Sequence, residues 1–170
     1  MPFEAAAYGP QVAALLKLID AGAKDRAAEA MRDAAESLFE RSRAPRAALA
    51  GLYLRAGSWK DAHETASGIE TPDGSFWHAI VHREEPDPAN SAYWFRQTGE
   101  HPVFPALAAA ASETGRFPRG AVWDPYKFID LCESARKQPG SDLERTCNAI
   151  RQAEWELLFD WCARRPEIHP

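Results

Sequence analysis

Residues 76–102 read FWHAIVHREEPDPANSAYWFRQTGEHP. In the first part, Trp77, Ile80 and Val81 recur at the three- and four-residue steps of one helix face. Asp87-Pro88 then places a capping carboxylate just before a proline at a first helical position, and Gly99 follows the next periodic stretch. The segment predicts a helix over 73–85, a short acidic turn and a second helix over 88–98. Within AYWF (92–95) successive side chains are about 100° apart around the axis, so the three aromatics must face more than one neighbour.

The same punctuation runs along the whole chain. Ser58 with Asp61, and Ser141 with Glu144, read as helix starts; Asp124-Pro125 repeats the Asp-Pro start. Gly22, Gly57, Gly68, Gly99, Gly115 and Gly140 each close a periodic stretch. No segment alternates strictly, and Ala, Leu, Glu and Arg dominate. The prediction is an all-α fold with helices near 10–21, 24–42, 45–56, 58–67, 73–85, 88–98, 103–114, 124–137 and 141–165. Short links between them predict stacked antiparallel pairs. The irregular link RFPRGAVW (116–123) sets a repeat-like body, 10–115, apart from a C-terminal helical pair, 124–165, within a single domain. In the last helix Leu143, Cys147, Ile150, Leu157, Leu158 and Trp161 make the apolar stripe, and Trp155 lies off it, to reach a second helix or mark a binding surface.

Bulk properties narrow the function classes. A chain of 170 residues, 45% apolar and 26% charged, suits one ordinary globular core. Its net charge of −5 comes from 25 acids and 20 bases that are interspersed, so no basic strip is available for phosphates and no nucleic-acid partner is expected. MPFEAAAYGPQVAALLKLIDAG has no basic leader, and Lys17 and Asp20 break its apolar run; a cytoplasmic protein without a membrane partner is expected. Cys132, Cys147 and Cys162 contain no CxxC pair and read as reduced thiols. Cys147 and Cys162 lie 15 residues apart on one helix, roughly 22 Å along its axis, too far to share an ion.

Two neighbouring helix pairs share a faint pattern. LAGLYLRAGSWKDAHETA (49–66) and FWHAIVHREEPDPANSAYWF (76–95) each carry aromatics in the first helix and a small residue, Ala62 or Ala92, in the second. Those alanines are 30 residues apart, near the period of tetratricopeptide-type repeats, whereas Arg55 and Arg83 are offset by 28. GLYLRAGSWKDAHE, WHAIVHREEPDPANSAYWFRQTGEHPVF, WDPYKFIDLCE and AEWELLFDWC resemble a set of bacterial helical proteins whose middle is similar to tetratricopeptide or Sel1-like repeats. The resemblance spans roughly 45–163. It implies a helical scaffold and brings no activity, cofactor or catalytic residue with it.

Two functional expectations emerge. The first is a non-enzymatic scaffold that holds a protein or peptide in an aromatic-lined groove built from Tyr53, Trp59, Trp77, Trp94 and Arg96, with no cofactor. The second is a metal-dependent or acid/base enzyme centred on His78, His82 and Glu85, which share a helix face at steps of four and three, with His63 or His101 assisting. Ala79 stands where a HExxH metalloprotease has its glutamate, so that motif is absent. The structural reading of the histidines is that they flank the core and bond to a neighbouring helix or water. In HREEPD, Arg83 is expected to pair locally in a solvated turn, with Asp87 as the cap before Pro88. Glycine-rich phosphate loops, a GxSxG elbow and a dinucleotide fingerprint are absent.

Overall fold

A computed structural model describes residues 3–166. After a short 3-10 turn at Ala5–Tyr8 come α1 (Pro10–Asp20), α2 (Lys24–Asp33), α3 (Pro45–Ala56), α4 (Trp59–Ser67) and α5 (Pro72–Glu84). Then follow α6 (Pro88–Thr98), α7 (Phe104–Ser112), α8 (Pro125–Arg136) and α9 (Asp142–Ala163). The fold is all-α, with no strand among the described residues. Helices α1 to α6 pack each on the next, as stacked pairs do, while the long α9 lies against α3, α7 and α8. No described helix is long and apolar enough to cross a membrane.

Helix starts follow the local chemistry. Asp87 accepts the Asn90 amide, and Asp124 accepts those of Tyr126 and Lys127. Ser141 accepts the Glu144 amide, but the Glu144 carboxylate reaches one residue further back, to the Gly140 amide at 2.6 Å. Ser58 departs from expectation: its hydroxyl turns to Asp61 Oδ2 at 2.5 Å, which also takes Arg32, and caps no amide. The start of α5 uses Thr71, which accepts the Gly74 amide ahead of Pro72.

The largest difference from the sequence reading is at 24–42, which is not one helix. α2 stops at Asp33, and residues 34–41 run as successive turns. Ser37 and Ser42 each donate their hydroxyl to the carbonyl three residues back, competing with helical bonding there. The break lets Leu38 and Phe39 drop into the core, where Phe39 meets Phe159 of α9 edge-on at 5.8 Å. The Arg43 and Ala44 amides then donate to the Arg164 and Cys162 carbonyls, closing the end of α9.

The core centres on a three-helix crossing. Gly51 of α3 lies so close to Trp77 of α5 that an added Cβ would stand 2.5 Å from the indole Cζ2. Trp155 of α9 donates its indole N–H to the Gly51 carbonyl at 2.8 Å. Trp155, the residue off the predicted stripe, therefore reaches a second helix; it is buried and stacked on Phe159.

HREEPD follows the expectation at its turn, where Glu85 and Pro86 are exposed and Asp87 caps α6, but departs from it at Arg83. Arg83 is completely buried, stacks over Phe128 at 4.5 Å and makes a two-pronged ion pair with Glu154 of α9, one prong at 3.0 Å. Its backbone carbonyl accepts from Arg136 of α8. Burial opposes the Arg83 charge, but Glu154 outweighs it and the guanidinium stays protonated; burial also pushes the Glu154 carboxyl up against the pull of Arg83.

Candidate functional site

The α4–α5 pair brings three imidazoles together. His63 lies on the second turn of α4, and His78 and His82 stand one turn apart on α5. Packing of α4 on α5 places His63 Nε2 3.0 Å from His78 Nε2, and a ring nitrogen of each of the three histidines lies within 4.8 Å of the others. The sequence pattern shows the His78/His82 face; only the helix pairing supplies His63.

The cluster is held by stacking. His78 is sandwiched between the His82 ring, centroid 4.8 Å away, and the Trp94 indole of α6 at 4.0 Å, both nearly parallel to it. His63 stands edge-on to both histidines. On the solvent side Glu85 and Asp87 each bring a carboxylate oxygen to 3.8 Å from His82 Nδ1. Hydrogen bonds from the Asn90 amide and side chain, with help from His82, hold the Asp87 carboxyl below its usual range.

Burial and neighbouring imidazoles favour the neutral form of His78 and His82. Burial, then the neighbouring His63 and His82, brings His78 down to about 4. Burial and His63 also lower His82, against the opposite pull of Asp87 and Glu85. Nδ1 of His78 and of His82 is buried without a hydrogen-bond partner. Neutral imidazoles with converging nitrogens are the form in which histidine ligates metals.

The remaining expected residues are placed as follows. His101 is not part of the cluster: its Nδ1 accepts the Val103 amide, and its Nε2–H donates to Asp73, which also takes the Trp161 indole N–H. Both of its nitrogens are committed to structure. Tyr53 and Trp77 are core residues, exposed by 4% and 1%, and cannot touch a ligand. Trp59 and Arg96 are exposed and Trp94 is half-buried on His78. The five-residue aromatic groove is thus not formed, because large apolar side chains at helix crossings serve the core first.

Trp59 sits instead at a separate cleft of about 250 Å³, lined also by Leu54, Arg55, Arg83, Arg151 and Trp155. Sequence reading missed this polar seam. Arg83, Arg151, Glu84 and Glu154 form it, with Arg151 Nε 3.1 Å from Glu84. Its signal was distant pairing across 71 residues, which local patterning does not carry.

Comparisons with protein-family models, curated proteins and solved structures found no match. The tetratricopeptide-like reading therefore rests on the residues alone, and the helix contacts support a helical-repeat-like arrangement.

Proposed function

We propose that this protein binds one divalent transition-metal cation, of the Zn²⁺ class, through His63, His78 and His82. The observation that carries the reading is the convergence of three ring nitrogens within 4.8 Å, contributed by two different helices. A tetrahedral ion with Zn–N bonds of about 2.0–2.1 Å holds its nitrogens roughly 3.4 Å apart. The 3.0 Å His63–His78 separation needs only a few tenths of an ångström of opening, and His82 closes by a side-chain adjustment. Glu85 and Asp87 are placed to take the His82 Nδ1–H as outer carboxylates, which orient a ligating ring and raise its basicity.

Three imidazoles leave a fourth position for water or a substrate oxygen, where such an ion acts as a Lewis acid. The chain's own contribution is to fix the rings by stacking and to supply carboxylates beside the site as proton acceptors. A peptide-binding groove has less support, since two of its five anchors are in the core.

The test is elemental analysis of protein purified without chelator, followed by titration of the apo form with Co²⁺ and Zn²⁺. One equivalent per chain, a tetrahedral Co²⁺ spectrum and at least a tenfold loss of affinity in His63→Ala and His82→Ala are expected. Stoichiometric binding that survives His63→Ala, or no binding by a folded wild type, overturns the proposal.

A further inference from the structure

We propose that Cys132 and Cys147 are a redox couple, converted by a hydroperoxide-class oxidant into a disulfide that pins α8 to α9. The two Sγ atoms face each other across the α8–α9 contact at 3.0 Å, nearer than ordinary sulfur–sulfur packing, and both residues are fully buried. Cys162 cannot compete, because it lies 15 residues beyond Cys147 on the same helix, about 22 Å along the axis.

The surroundings separate the roles of the two sulfurs. The hydrogen bond between the two sulfurs, in which either can donate, and the positive charge of the Arg83 and Arg151 guanidiniums together hold the Cys132 thiol below its ordinary value against the effect of burial. Cys147 is pushed up by the same hydrogen bond and by burial, so it keeps its proton. Arg151, which is partly exposed, lines the 250 Å³ cleft beside Trp59, so small solutes reach one of the two charges that stabilise the Cys132 thiolate. Cys132 is thus the attacking sulfur and Cys147 the resolving one.

The chemistry balances with one equivalent of hydrogen peroxide. The Cys132 thiolate attacks a peroxide oxygen, the O–O bond breaks, and the leaving hydroxide takes a proton to become water. The Cys147 sulfur then attacks the Cys132 sulfenic acid; the S–S bond forms, the S–O bond breaks, and a second water leaves carrying the Cys147 proton. Two thiols are oxidised by two electrons and the peroxide is reduced to two waters.

Reduced full-length protein is treated with hydrogen peroxide, blocked with iodoacetamide in denaturant and mapped by mass spectrometry. Before alkylation the oxidised chain is expected to be about 2 Da lighter than the reduced one; after it the Cys132 and Cys147 peptides are joined and only Cys162 is alkylated. Closing a loop of this length raises the melting temperature by about 5–10 °C, reversibly with dithiothreitol. In Cys147→Ser the link is lost and Cys132 stops at an oxygen adduct about 16 Da heavier. The wild-type map needs no variant, so a Cys147→Ser that fails to fold does not spare the proposal. It is overturned by a wild type in which Cys132 and Cys147 stay alkylatable, by joined peptides that contain Cys162, or by a link that appears only in unfolded protein.

Discussion

Glu154→Ala strips Arg83 of its counter-charge and is expected to cost about 3–5 kcal/mol, the range for breaking a buried pair by removing one partner. The magnitude follows from the surroundings. The Arg83 side chain has no solvent exposure, and both prongs of its ion pair end on Glu154. Glu84 is the one other carboxylate within reach among the described residues, 3.6 Å from Arg83 Nε, and it is already engaged by Arg151 at 3.1 Å. A native chain of this kind has roughly 5–15 kcal/mol in total, so the variant should unfold at a much lower urea midpoint. Removing both charges together, in Arg83→Met with Glu154→Leu, should return stability to within about 1 kcal/mol of wild type or above it, because neither ion then pays desolvation. The assay is urea denaturation followed by tryptophan fluorescence and far-UV circular dichroism, with the double-mutant cycle giving the coupling. A Glu154→Ala cost below about 1 kcal/mol, or a double variant worse than the single, would refute the reasoning.

Two further outcomes are expected. Gly51→Ala places a methyl against the Trp77 indole at the α3–α5–α9 crossing and should cost about 1–3 kcal/mol by overpacking, read as a lower melting temperature; an unchanged value would mean the helices separate freely there. The metal-free protein should lose stability as pH falls from about 6.5 towards 4. Its folded His78, down at about 4, binds fewer protons than the unfolded ring, so this stability is complete above the unfolded value and drains away below it. His82 is lowered too and acts in the same direction. The loss should be on the order of 1–2 kcal/mol by pH 5 and smaller in His78→Gln; urea midpoints that stay flat between pH 7.5 and 5 would contradict it.

Helix positions were legible because their signals are local. Asp87-Pro88 and Asp124-Pro125 announced starts that the structure uses, and the periodic stripe located α9. The overrun at 24–42 came from residues with good helical preference whose chain must nevertheless break to bury Phe39 against Phe159. Two of the three candidate ligands were also local, since His78 and His82 share a face by spacing alone. His63 was not, because its approach depends on the side α4 presents to α5. Arg83 was misread for the same reason: the residues around it are all polar and turn-like, and the carboxylate that explains it is on the last helix. Residue type misled at Tyr53 and Trp77, where an aromatic that fits a binding groove fits a helix crossing equally well.

The bonds from the Arg43 and Ala44 amides to the Arg164 and Cys162 carbonyls have a consequence for synthesis on the ribosome. A nascent chain would carry α3 outside for roughly a hundred residues of elongation, and α5 for roughly seventy, before α9 emerges and Trp155 is seated on the Gly51 carbonyl. Through that interval the emerging polypeptide shows an oily seam to every chaperone and neighbour it meets. Premature stops ahead of α9 should therefore yield sticky, rapidly degraded fragments rather than smaller working proteins.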